Sequence, residues 1–254
     1  MKKNTKKNAI IYILILLVLI AVSLYFKYRK PTLPAPFQDE TGQTVPGDTS
    51  KISIDSKNIK EENFTGKVPV ISGGSALALK SQSFIDQTVA EFKKQADADV
   101  PPMRKEFGAD SPTAQYEINI EVKYIQSKEN KQTESISMLT YTYTGGAHGT
   151  SSYKVITTSA DGRILSLGDI IKEDKQEAFT ELVKKELGAW QIQGMEGSPT
   201  FPEDVAALRF NSFTNWSLDD KNLTIYFSQY DIGPGVLGPV AFPISLSKIK
   251  DFLK

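Results

Sequence analysis

The chain has one histidine and no cysteine. That histidine, His148, lies in Tyr-Thr-Gly-Gly-Ala-His-Gly (143–149), with Gly145 and Gly146 before it and Gly149 after it. A lone imidazole in a glycine-rich turn invites three readings: a general base, a metal ligand, or a ring held by a turn of special shape. A base needs a nucleophile or an orienting carboxylate beside it. Thr150, Ser151 and Ser152 follow, but there is no Gly-x-Ser-x-Gly elbow. A zinc site built on His148 would need carboxylates for every other ligand, which is a rare set for zinc. The glycines supply backbone angles open mainly to glycine. The residues therefore favour a structural turn first and a partner contact second.

A second stretch that could carry binding is Gln-Tyr-Asp-Ile-Gly-Pro-Gly-Val-Leu-Gly-Pro (229–239). Tyr230 and Asp231 are its candidate contact residues, since loops on a rigid sheet often carry function. The competing reading is a wide connection whose prolines discourage edge pairing. Thr157–Gly168 has an Asp-Gly at positions that suit a calcium loop, but Thr157 and Gly168 stand where its key carboxylates belong. Asp161-Gly162 is then a turn between strands. Asn63, Asn215 and Asn222 open N-x-S/T triplets, without a reason to expect glycans. Trp190 and the tyrosines could line a sugar-binding face, whereas Trp216 reads as core. Gln95–Asp99 reads as a solvated acidic helix end. No cofactor is expected.

These segments need elements to hold them. Tyr116–Tyr124 alternates apolar and polar residues with period two, one face buried and one wet. Ser135–Tyr143 follows after a polar turn as its hairpin partner, and Ser152–Thr158 is a third strand. Asn215–Leu218, Asn222–Ser228 and Pro239–Ile244 are three more, with Leu218–Asn222 as a hairpin turn. Helices are expected over Ser81–Asp97, over Asp174–Gly188 and after Ser245. The second has a capping box of Asp174 and Glu177 and closes at Gly188. The pattern is α+β: antiparallel sheets with helices packed on one face.

Ahead of this lies Ala9–Phe26, 18 residues without a charge. At about 1.5 Å per residue it reaches roughly the thickness of a bilayer core. It reads as a transmembrane anchor with a cytoplasmic tail, 1–8, carrying four lysines. A cleaved signal peptide is the rival, with Ala21–Ser23 as a small-x-small site, but the apolar run is longer than usual for one. Residues 27–50 are rich in proline and read as a flexible linker.

Seven of the thirty basic residues fall within the first thirty positions, which hold no acid. The remainder has twenty-three bases against thirty acids, a net charge near −7. That sign gives no electrostatic reason to bind nucleic acid and would attract a cationic partner. It also serves simple solubility.

The segments 143–149, Ser159–Ile171 and Ile225–Ile244 together resemble a bacterial extracytoplasmic domain family. It occurs in the lysozyme-sensing anti-sigma factor RsiV and in the N-terminal part of the cell-wall deacetylase PdaC. Asn63–Gly73 and the helix after it resemble the companion domain that comes first. The resemblance implies two small intimate subdomains, 51–112 PdaC-like and 113–254 RsiV-like, preceded by one transmembrane helix. It further implies a domain outside the membrane that binds a lysozyme-like cationic protein or peptidoglycan. The tail is too short for a sigma-binding domain, and no cluster combining Asp-Asp with His-x-x-x-His is there to suit a deacetylase metal. A wall hydrolase or transferase using His148, or an accessory subunit of an envelope complex, are the alternatives. Oligomeric state is not legible.

Overall fold

A computed structural model describes residues 52–129, 133–191 and 198–254. The expected tail, anchor and linker lie outside these residues. Among the described residues, no helix is long and apolar enough to cross a membrane.

The first sheet has five strands in sequence order: β1 (Ser53–Lys60), β2 (Thr65–Ser72), β3 (Tyr116–Gln126), β4 (Glu134–Thr144) and β5 (Thr150–Thr158). The second has three: β6 (Trp216–Leu218), β7 (Asn222–Phe227) and β8 (Val240–Ser245). The α+β expectation holds, with one correction. Strands β2 and β3 run parallel, over Thr65–Lys67 against Glu117–Asn119. Parallel neighbours need a crossover, and the helix α1 (Ala76–Phe107) supplies it. Gly66 sits where the two strands touch, and a Cβ there would lie 2.0 Å from the Ile118 carbonyl oxygen. Every other pairing is antiparallel.

At 32 residues, α1 is twice the helix the periodicity predicts. The helix continues past the expected end at Asp97 and through Pro101 and Pro102, which lack N–H groups and disfavour a helix interior. Two contacts hold the extra turns. Val100 is fully buried, and Arg104 donates to the Glu62 carbonyl (2.7 Å) and to Asn63 Oδ1 (3.2 Å). Asn63 in turn donates to Asp97 (2.9 Å), and the Tyr116 hydroxyl donates to Asp99 (3.1 Å). The Gln95–Asp99 run is thus mid-helix and partly engaged, not a solvated end.

The helix covers one face of the first sheet. Ile85 and Phe92 on α1 meet Ile118, Ile120, Ile136 and Met138 in the first core. The alternation on β3 holds from Tyr116 to Ile120 and then changes sides: Tyr124 is exposed and Ile125 is buried. The opposite face is covered at that end by β6. Ile125 pairs with Ser135, which pairs with Thr157, whose hydroxyl donates to the Trp216 carbonyl (2.7 Å).

A second core lies on the inner face of β6–β8. Leu223, Ile225, Phe242 and Ile244 pack against α2 (Gln176–Gly188), α3 (Pro202–Ala207) and the final turns from α4 (Leu246–Ile249) onward. Phe179 is its centre, with edge-on contacts to Phe210, Phe213 and Phe252. The capping box expected at Asp174 does not form. That residue sits in a 3₁₀ turn, Glu173–Lys175, which runs straight into α2 without a side-chain cap. Gly188 ends α2 as a helical residue instead of the left-handed closure expected. A capping box forms at Ser166 and Asp169, which is also held by Arg163 (2.9 Å). The Asp161-Gly162 turn is as expected, with Gly162 at φ +83°.

Candidate functional site

The outer edge of β5 would expose unpaired backbone groups, a template for unwanted strand pairing. Side chains from the second half close it. Asn215 Oδ1 accepts from Val155 N (3.0 Å) while its Nδ2 donates to the Tyr153 carbonyl (3.1 Å). Tyr153 N donates to Ser228 Oγ (3.0 Å). Ser151 N donates to Gln229 Oε1 (2.9 Å), and Gln229 N returns a bond to the Ser151 carbonyl (3.0 Å). This edge closure carries the loop after β7 to the turn after β4, two segments some eighty residues apart in sequence.

Each segment has a backbone shape fixed by close approach. Gly145 adopts φ +78°, and a Cβ there would lie 2.2 Å from the Thr113 carbonyl oxygen. Gly149 lies against the Tyr141 ring, where a Cβ would come within 2.3 Å. Gly146 has open space around it and carries no such constraint. On the facing loop, Tyr230 has φ +73°, and it is the non-glycine residue with positive φ among those described. Such backbone costs about 1 kcal/mol or more for an L-residue. The turn tolerates it because the Asp231 carboxylate accepts from Ser228 N (2.6 Å) and Asp231 N donates to the Ser228 carbonyl (3.1 Å). Gly235 leaves room for the Tyr230 ring, and Gln229 Nε2 donates to the Gly235 carbonyl (2.9 Å).

The two segments bring His148 and Tyr230 together. Nδ1 of His148 lies 3.0 Å from the Gly149 carbonyl oxygen. A carbonyl only accepts, so in the neutral ring Nδ1 carries the proton and Nε2 accepts from the Tyr230 hydroxyl, a long contact of 3.5 Å. Both residues are exposed. Burial by surrounding protein pushes the Asp231 carboxyl upward, opposed by the Ser228 N–H. The Asp231 carboxylate serves the Ser228 turn, so it braces Tyr230 instead of orienting His148. Among the described residues no group of three or more histidine, aspartate or glutamate side chains could hold a metal ion. The arrangement is an imidazole–phenol pair on a surface, with the phenol oxygen left as a hydrogen-bond acceptor.

Apolar side chains adjoin it. Phe201 N donates to the Ile232 carbonyl (2.9 Å), which fixes Phe201 beside the loop. Phe201 is 43% exposed, Tyr230 50% and Val236 87%. The sequence did not single out Phe201 or Val236; a large apolar residue beside Gly and Pro was the available signal. Trp190 and Trp216 do not join this surface. Trp216 is core, and Trp190 packs edge-on to Phe242. The amides of Asn63 and Asn215 are engaged in internal bonds.

The fold and this surface define an α+β module with two sheets, one under a long crossover helix, and a loop ledge beside the closed sheet edge. Residues 54–151 match the family described as Deacetylase PdaC, and residues 168–247 match the family described as Protein of unknown function (DUF3298). The chain therefore has an N-terminal region similar to the PdaC family and, after it, a region similar to DUF3298. It is 28% identical over 180 residues to the peptidoglycan-N-acetylmuramic acid deacetylase PdaC of Bacillus subtilis (strain 168). That alignment covers 67% of this chain and 35% of the relative, so the chain spans about a third of the relative it matches. The lysozyme-sensing anti-sigma factor is not among these matches. A DUF3298 crystal structure from Bacteroides fragilis superposes with a TM-score of 0.58 at 20% identity, covering 82% of this chain and 96% of that one. Another from Pseudomonas aeruginosa gives 0.51 at 14%, covering 82% and 95%. At those identities the two structures establish the fold.

Proposed function

We propose that this protein is a membrane-anchored, wall-facing binding module, and that the ledge of His148, Tyr230, Phe201 and Val236 meets its partner. The partner is a wall-associated ligand, a lysozyme-like cationic protein or peptidoglycan. The observation that carries the reading is the convergence of two sequence-distant loops on one exposed aromatic surface, with Tyr230 held in a costly backbone conformation. Strain retained on a surface loop fits a residue whose position matters to a partner. Exposed aromatic and apolar side chains supply contact area. The net charge near −7 of residues 31–254 favours encounter with a cation. The relative's name, a peptidoglycan deacetylase, supports the wall as the setting. The apolar segment 9–26 supports the anchor.

The test is retention of the full chain on purified peptidoglycan and on immobilised hen lysozyme. Binding to one of them is expected, and binding to lysozyme should weaken as salt rises. Tyr230→Ala should reduce affinity about tenfold or more if the ledge is the contact. His148→Ala, by contrast, should leave stability within about 0.5 kcal/mol. Retention of neither ligand at low salt, or full affinity in Tyr230→Ala, overturns the proposal.

A further inference from the structure

The two sheets face each other with their polar sides. On β7 and β8 the residues Leu223, Ile225, Phe242 and Ile244 enter the second core, so Asn222, Thr224, Tyr226, Ala241 and Pro243 occupy the other face. On the first sheet, α1 covers the face of Ile118, Ile120 and Met138. The opposite face carries two cross-strand rows, Glu121–Leu139–Tyr153 and Lys123–Ser137–Val155. The two polar faces meet at Tyr153 and Tyr226, whose rings sit edge-on with centroids 5.0 Å apart. From that contact a cleft of about 440 Å³ opens between the sheets.

Sheets that meet through apolar faces make a core; these meet through mixed faces, on which hydroxyls, an amide and charges stand among Leu139, Ala241 and Pro243. The side chains of Glu121 and Lys123 form no ion pair or hydrogen bond with the described residues, and neither do the Tyr153 hydroxyl or the Asn222 side-chain amide. The Tyr226 hydroxyl, in contrast, is committed to Ser217 (2.9 Å) and anchors the floor. The walls thus present a carboxylate acceptor, an ammonium donor, an amide that does both and a phenol, over an aromatic floor. A volume of this size suits a small ligand lying in an open cleft. Opposed donors and acceptors at short spacing match a ligand rich in hydroxyls, and tyrosine rings match its C–H faces. A saccharide offers both.

We infer that the cleft between the two sheets binds a short saccharide through Glu121, Lys123, Tyr153 and Asn222. This site shares no residue with the ledge and stands whether or not the ledge binds a partner. Calorimetric titration of the full chain with N,N′,N″-triacetylchitotriose is the test, with cellotriose as a second probe for a non-acetylated glycan. Saturable binding of either probe is expected. The double variant Glu121→Gln with Lys123→Gln should weaken it about tenfold or more, each lost polar contact contributing a factor of several. Because both side chains are exposed, the thermal midpoint should hold, and Tyr230→Ala should leave saccharide affinity unchanged. The inference is overturned by the absence of saturable binding of both probes at about 10 mM, the weak end of specific recognition. It is equally overturned by binding that survives the double variant or that Tyr230→Ala abolishes.

Discussion

The two halves of the described chain reach the same end by different means. The first sheet hides its aliphatic face under one long helix, and the helix is held by a polar network through Asn63, Asp97 and Arg104. The second sheet has three short strands and short helices, and its core is centred on Phe179 and the three phenylalanine rings around it. The difference teaches where functional loops belong. A half built of short elements joined by many connections offers surface loops, and both Tyr230 and Phe201 come from it. The half under the long helix contributes an edge for those loops to rest on.

Both tryptophans, Trp190 and Trp216, lie in the second half, so their fluorescence follows that half alone, while helical circular dichroism is dominated by α1. The largest effect is expected from Phe179→Ala. Phe179 is fully buried, and its removal should cost about 3–5 kcal/mol. The tryptophan transition in denaturant should shift first; an unshifted tryptophan midpoint would contradict the central place given to Phe179. Next comes Asn215→Ala, which strands two groups on the β5 edge and should cost about 2 kcal/mol. In the wild type the two probes should report one transition. Asn215→Ala should separate them, and coincident curves in that variant would mean the halves are coupled elsewhere. Gly145→Ala should cost about 1–2 kcal/mol through its left-handed backbone and its approach to Thr113, again read by denaturant midpoint.

The smallest effect concerns pH. Lys154 lies on the helix-covered face in register with Met138, and burial lowers its pKa with no compensating partner among the described residues. A base whose folded pKa is depressed holds the native state back while it stays protonated. Stability therefore rises as pH climbs through the folded value, and the gain is complete above the unfolded value of about 10.4. Tyrosines with raised pKa values, such as Tyr116, pushed up to about 12 by burial and Asp99, work the other way above pH 10. Comparing the wild type with Lys154→Met cancels them. The variant should be the more stable at neutral pH and lose that advantage toward pH 10; a constant difference would count against the burial argument.

Sequence patterning exposed much of this frame. Period-two alternation located β3, and the turn residues located the hairpins β3–β4 and β6–β7. Strand β1 was not legible, because an edge strand exposed on both faces has no apolar rhythm. The true end of α1 was hidden by Pro101 and Pro102, since the contacts that override them come from residues forty positions away. His148 and Tyr230 could each be singled out by composition, but their meeting depends on the Gln229–Ser151 bonds, which no local pattern encodes. The inter-sheet cleft was hidden for another reason: Glu121 and Lys123 look like the ordinary wet side of a strand until a second sheet arrives opposite them.

The parallel seam between β2 and β3 sets an order of events in time. Thr65 and Glu117 are separated by 52 positions, whereas the β3–β4 hairpin closes across a short turn. Closing the longer loop carries the greater entropic cost, and only three rungs reward it. The β3–β5 meander should therefore assemble as one body and the β1–β2 hairpin with its helix as another, joining last where Gly66 meets Ile118. In pulse-labelled hydrogen exchange during refolding, the amides within β4 should gain protection before that of Lys67, whose N–H donates to the Asn119 side chain across the seam.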